Sequence, residues 1–161
     1  LWTQKIGDRK MTQVDTERED GDKNKVDEYE EESVYEEIKK EMGVDVVRLD
    51  NMPSDLHLQV KDIDTALKRI CLIYGNDDIT IEYQIVMNYK EQSHAYDIED
   101  EKIKEEQIEK DGNKINISQY QLSDGTKEWV AQFNYRDAFY TLNAVMNEEE
   151  FKNLLNNLYF S

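Results

Sequence analysis

The chain has 161 residues, with 37 acidic and 20 basic side chains and a formal net charge of -17 at pH 7. This length fits one domain with a tail, since single domains usually span roughly 100–200 residues. The charge repels phosphate backbones and anionic lipid headgroups, which argues against nucleic acid as a partner. The sequence has no apolar run near the roughly 20 residues of a membrane span, and its single cysteine, Cys71, excludes an internal disulfide.

The N-terminal segment is strongly charged, poor in apolar residues and without sustained periodicity. Such a composition cannot bury enough apolar surface to offset the entropy lost on ordering. We therefore interpret residues 1–32 as an acidic flexible tether and residues 33–161 as a single domain. Because the chain opens with Leu1 and not with Met, we expect a preceding segment that includes a membrane anchor.

Within this tether, DGDKNKVDEYEE resembles the calcium loop of an EF-hand. Oxygen-bearing side chains stand at the first, third, fifth and twelfth loop positions that the motif uses, and they belong to Asp20, Asp22, Asn24 and Glu31. Lys25, however, occupies the sixth position, where the sharp turn needs Gly, and the flanks lack helical periodicity. A solvated acidic segment is therefore the favoured interpretation, and calcium binding is the weaker alternative. We expect no cofactor.

The segment SVYEEIKKEMG predicts a short amphipathic helix. Ser33 and Glu36 have the spacing of a capping box at its start. Apolar residues then recur at helical spacing, and Gly43 provides the stop.

From residue 69 onward the pattern changes to that of strands. RICLIY is a continuous apolar run, and ITIEYQIVM alternates apolar and polar residues as a half-buried strand does. GNDD between them predicts a hairpin turn. EKDGNK, LSDGTK and NYRDAFY predict three more hairpins, which join strands over residues 102–109, 114–122, 127–135 and 138–145.

MNEEEFKNLLNNL returns to helical spacing, with Asn147 as the predicted N-cap and Glu150 completing a capping box. Its predicted buried stripe consists of Phe151, Leu154, Leu155 and Leu158. The order of helix, antiparallel strands and helix predicts an α+β fold. In this fold, an antiparallel meander sheet of about six or seven strands carries the N-terminal and the C-terminal helix on one face.

The strand KEWVAQFNY places three aromatic side chains on one face, namely Trp129, Phe133 and Tyr135. Core packing against the C-terminal helix is the first explanation. The second is a groove between sheet and helices that binds an apolar ligand or a partner peptide, with these three residues as its site. The sequence leaves both open.

The histidines lack the surroundings of catalytic residues. His94, beside Ser93 and near carboxylates, imitates part of a hydrolase triad, but no nucleophile elbow or Gly-rich oxyanion loop accompanies it. The spacing of His57, His94 and Cys71 does not fit a zinc site. We therefore predict no catalytic residue, no firm metal site and no enzyme activity.

Three segments resemble a domain of unknown function found in Gram-positive bacteria. EEIKKEMGVDVVRLDNMPSDLHLQV resembles its opening, which is a short helix ending in Gly, a strand and a Pro-containing turn. RICLIYGNDDITIEYQI resembles its first hairpin. EWVAQFNYRDAFYTLNAVMNEEEFKNLLNNL resembles its ending, a Trp strand, an aromatic strand and a Glu-rich capped helix, so that the resemblance covers residues 33–161.

The resemblance implies an extracytoplasmic domain at the end of a chain anchored by one transmembrane helix, often with an anti-sigma-factor-like segment inside the cell. It implies no catalytic residues. We expect a non-enzymatic sensing or interaction domain, tethered to the cell membrane, that binds a protein or an envelope-derived ligand. The competing expectation is a carrier or chaperone that holds a lipid or lipoprotein tail between sheet and helices.

Overall fold

The computed structural model describes residues 29–50, 52, 55–87 and 101–160. In chain order the elements are α1 Glu31–Met42, β1 Arg48–Leu49, β2 His57–Asp64, β3 Arg69–Gly75, β4 Thr80–Met87, β5 Glu101–Lys110, β6 Asn113–Gln121, β7 Lys127–Tyr135, β8 Ala138–Ala144, α2 Glu148–Asn156 and β9 Leu158–Tyr159. Strands β2 to β8 form one seven-stranded antiparallel sheet, and β1 pairs with β9 in a separate ribbon. No helix in these ranges is long and apolar enough to cross a membrane.

The strand order is β2-β3-β4-β8-β7-β6-β5, so two runs of hairpins meet where β4 pairs with β8. The α+β class and the predicted number of strands agree broadly with this mainly β architecture. The prediction of one continuous meander is wrong at one step, because β5 follows β4 in the chain but lies at the far edge of the sheet. A tight turn forces consecutive strands to pair, whereas the long connection before β5 does not.

The predicted hairpins are confirmed, and their turns show why. Between β3 and β4, the Asn76 side chain accepts hydrogen bonds from the backbone N–H groups of Asp78 and Ile79 at 2.8 and 2.7 Å. Between β5 and β6, Asp111 and Gly112 both have positive φ, at 52° and 81°. That backbone suits a two-residue hairpin turn, whose twist matches the flanking strands.

Helix α1 starts earlier than predicted. Helix α1 begins at Glu31, with Glu30 and not Ser33 at the N-cap position and no side-chain cap. Ser33 instead donates from its hydroxyl to the Glu30 carboxylate at 3.1 Å, and the acidic first turn offers favourable charge at the positive end of the helix dipole. Gly43 ends the helix as predicted, in a left-handed conformation with φ of 73°.

Helix α2 starts as predicted, since the Asn147 side chain accepts a hydrogen bond from the Glu150 N–H at 2.8 Å. It ends at Asn156, before the predicted stripe is complete. Leu158 is buried, but it belongs to β9, where it pairs with Leu49. The spacing of the apolar residues alone did not reveal this change from helix to strand.

The hydrophobic core includes one row of side chains that runs across four strands. This row consists of Tyr74, Ile81, Ala144 and Trp129. Helix α1 contacts it through Tyr35, whose hydroxyl lies 2.8 Å from that of Tyr74. Helix α2 contacts it through Phe151, whose ring stacks on Trp129 with 5.9 Å between centroids.

Two core tyrosines hold the backbone N–H and C=O of Val47, a residue that lies outside the sheet. The Val47 N–H donates to the Tyr140 hydroxyl at 3.3 Å, and the Tyr83 hydroxyl donates to the Val47 carbonyl at 2.6 Å. Burial raises the pKa of Tyr140 to about 12 and that of Tyr83 well above its ordinary value. Both phenols therefore stay protonated at neutral pH and fix the connection between α1 and β1 against the sheet.

Candidate functional site

Of the three aromatic residues predicted as a ligand site, two lie in the core and the third lines a surface cleft. Trp129 and Phe133 each expose only 2% of their surface and belong to the core. Phe133 stacks on Tyr140 with 4.8 Å between ring centroids and meets Phe160 edge-on at 5.5 Å. Tyr135 is half-buried and lines a surface cleft described below.

Of the weak calcium candidates, Asp20, Asp22 and Asn24 lie outside the described residues. Glu31 is the first residue of α1, and its carboxylate accepts a hydrogen bond from the Tyr35 hydroxyl at 3.3 Å. The pKa of Glu31 is raised above its ordinary value, mainly because the carboxyl group is partly buried. In the described part of the chain, no group of three or more His, Cys, Asp or Glu side chains could hold a metal ion.

Two of the three residues weighed for zinc chemistry lie in described strands. His57 begins β2, Cys71 lies half-buried in β3, and His94 falls outside the described ranges. The Cys71 thiol donates to the Glu82 carboxylate at 3.7 Å.

The polar face of β4, which the alternating pattern left facing solvent, is buried, and so are polar side chains beside it on β7 and β8. Glu82, Glu128 and Asn143 expose 2%, 2% and 1% of their surfaces. The Asn143 side chain donates to Glu128 at 3.0 Å, and Gln84 donates to Glu82 at 2.9 Å. Buried polar groups need hydrogen-bond partners, and here one pair lies within β4 and the other joins β8 to β7. These pairs were missed because the period-two pattern distinguishes the two faces of a strand but not whether its polar face is covered.

An apolar groove of about 350 Å³ opens between α2 and the turn joining β3 to β4. Its walls consist of Met52, Leu56, Ile79, Ile81, Met146 and Leu154, and its rim of Glu150, Asn153, Asn156 and Asn157. We call it the asparagine-rimmed groove. A carboxamide both donates and accepts hydrogen bonds, so the rim complements the N–H and C=O groups of an extended peptide.

A second opening, of about 480 Å³, lies at the other end of β4. Its apolar lining consists of Met42, Val44, Met87, Tyr135 and Tyr140, and its charged lining of Lys39, Lys68, Arg136, Glu41, Asp45 and Asp137. We call it the hairpin-end cleft, because the β2–β3 and β7–β8 turns both border it. The Lys39 ammonium lies 2.9 Å from the Asp45 carboxylate. Mainly because of this contact, the pKa of Asp45 is lowered.

Neither opening was predicted from the sequence, because the residues lining each come from widely separated segments. The one available signal for the groove is the cluster of asparagines near the end of α2, which Asn153, Asn156 and Asn157 form. The corresponding signal for the cleft is a cation in each of two tight turns, Lys68 and Arg136.

The described residues form a mainly β domain that fits the α+β class. A family model described as a domain of unknown function (DUF4367) matches residues 46–158, and the chain belongs to this family. The matched segment begins after helix α1. No curated protein and no solved structure gave a significant match.

Proposed function

We propose that this chain is the extracytoplasmic part of a membrane-anchored protein and that it acts by binding, without catalysis. In this proposal its partner is a protein segment that lies extended in the asparagine-rimmed groove. The observation that carries the proposal is the combination, in one groove, of six apolar wall residues with three carboxamides on the rim.

The groove has the chemistry of a peptide site. Fully burying a Leu-sized side chain contributes roughly 1.5–3 kcal/mol, and the rim can pair with the backbone on either side of that side chain. Met52 and Met146 come from distant parts of the sequence and both line the groove. Their flexible thioether side chains can adapt to ligand side chains of different shape. The groove thus suits apolar anchors in several sequence contexts.

The proposed location rests on the resemblance to anchored Gram-positive proteins and on the composition of the N-terminal segment. The residues before α1 combine many acidic side chains with few apolar ones, which suits a solvated link between membrane and domain. Family membership is compatible with this location.

The carrier alternative receives less support. A lipid tail between sheet and helix needs open space beside Trp129 and Phe133, but stacked rings occupy that position. Trp129 packs on Phe151 and Phe133 packs on Tyr140, at 5.9 and 4.8 Å between centroids.

The groove can be tested with peptides selected from a displayed library against the wild-type protein. We expect the enriched peptides to carry a large apolar anchor. Asn153→Arg should weaken their binding about tenfold, since it removes a rim carboxamide and places a long side chain over the groove. Asn153 is exposed on α2 and arginine favours helix, so the variant should fold normally. Isothermal titration with the synthetic peptides measures the change.

The matched control is Asn134→Arg, which makes the same substitution at an exposed position of β7 away from the groove. It should bind the same peptides with wild-type affinity. Equal affinity of both variants and the wild type, or no enriched peptide at all, would remove the groove from the proposal.

A further inference from the structure

Two turns of the sheet have a backbone conformation that their residues rarely adopt. In the described ranges, three residues other than glycine have positive φ, namely Lys68 at 56°, Asp111 at 52° and Arg136 at 57°. Aspartate is among the residues that tolerate the left-handed region, and Asp111 precedes Gly112 in a usual Asp-Gly turn. Lysine and arginine have no such local advantage, so the backbone alone does not explain Lys68 and Arg136.

Both of these cations line the hairpin-end cleft. Lys68 ends the β2–β3 turn, and its carbonyl accepts from the Met87 N–H at 3.0 Å at the end of β4. Arg136 lies in the two-residue turn between Tyr135 and Ala138, which pair across β7 and β8. Asp111 lies at the tip of the β5–β6 hairpin and does not line the cleft. Strained positions persist where the surrounding structure or a ligand uses them.

The charges around the cleft limit what it can bind. Lys39 is paired with Asp45, and Glu41 and Asp137 add negative charge that disfavours a multiply charged anion. Lys68 makes no ion pair with any described residue. The Arg136 guanidinium lies 4.9 Å from the centre of the Tyr135 ring, beside the apolar floor. Lys68 and Arg136 are the cations of the lining outside the Lys39–Asp45 pair, and two cations beside an apolar floor match a single negative charge attached to an apolar group.

We propose that the hairpin-end cleft binds a carboxylate carried on an apolar group, with Lys68 and Arg136 contacting the carboxylate and Met42, Val44 and Met87 accepting the apolar part. Its volume of about 480 Å³ lies within the range usual for small-molecule sites. The site is independent of the proposed peptide groove, which lies at the opposite end of β4. Two sources supply this chemistry, namely a free aliphatic acid and the C-terminal residue of a peptide.

The probes are octanoate for a free acid and N-acetylleucine for a peptide terminus, with octanol and N-acetylleucine amide as their neutral counterparts. Binding is followed by two-dimensional NMR on the isotope-labelled protein. We expect saturable shifts at the cleft with at least one acid and none with its neutral counterpart. The acid that binds more tightly identifies the source. No saturable shift with either acid, or equal binding of the neutral counterpart, would overturn the proposal.

Three matched variants separate a ligand-binding role from a structural one. Asparagine fits the left-handed region, so Lys68→Asn, Arg136→Asn and Asp111→Asn should each unfold at the wild-type temperature or slightly above it. Lys68→Asn and Arg136→Asn should weaken binding of the acid about tenfold, whereas Asp111→Asn should leave it unchanged. Wild-type affinity in the first two variants would show that their side chains do not contact the ligand. A lower melting temperature in either would show that the cation serves the turn itself.

Discussion

Replacing Phe151 with alanine should lower the free energy of unfolding by about 3–5 kcal/mol. Phe151 is fully buried, with 0% of its surface exposed, and it stacks on Trp129. Truncation removes the apolar contact and leaves a cavity where α2 meets the sheet, because the neighbouring rings can close it only in part. This loss is a large part of the total stability expected of a single domain.

Urea unfolding followed by far-ultraviolet circular dichroism measures this loss. The control is Leu67→Ala in the β2–β3 turn, where 58% of the leucine surface is exposed. It should change the free energy of unfolding by less than about 0.5 kcal/mol. If Phe151→Ala were as mild as this control, α2 would not be a core element of the sheet.

Tyr83→Phe should lower the free energy of unfolding by about 1–3 kcal/mol, although it deletes one oxygen atom. The lost hydroxyl donates to the Val47 carbonyl at 2.6 Å. Val47 is fully buried and lies outside the strands, so no ladder bond replaces the lost donor. A buried carbonyl that lacks a hydrogen-bond donor destabilises the folded state, because it has lost its contact with water without gaining a partner.

The same substitution at Tyr159 provides the control, since 53% of its surface is exposed in β9. Tyr159→Phe should be nearly neutral in the same unfolding experiment. Hydrogen exchange should also show faster local opening of residues 43–49 in Tyr83→Phe. Equal stability of the two variants would contradict the assignment of Tyr83 as the anchor of this connection.

Local signals in the sequence predicted local structure well. Asp-Gly at 111–112 tolerates the left-handed backbone that a two-residue turn requires and therefore predicted the β5–β6 hairpin, and Asn147 with Glu150 predicted the start of α2. Ser33 misled the prediction of α1, because the same spacing of Ser and Glu occurs inside a first turn that begins at Glu31. A capping pattern identifies a helix start only when no competing start precedes it.

Long-range features were beyond the sequence patterns. The pairing of β4 with β8 depends on which strands meet across a long connection, and no residue in either strand encodes that choice locally. The ribbon of β1 and β9 joins two-residue strands from opposite ends of the domain. The two clefts depend on these same long-range arrangements, so their lining residues became evident only in the folded structure.

Cysteine labelling in intact cells tests the proposed location most directly. Ser123→Cys places a thiol in the exposed turn between β6 and β7 of the protein expressed from its complete gene in bacterial cells. A membrane-impermeant maleimide should label this variant before lysis, and the parent protein, in which Cys71 is half-buried, reports the background. Labelling of Ser123→Cys only after lysis would place the domain inside the cell and contradict the proposed extracytoplasmic function.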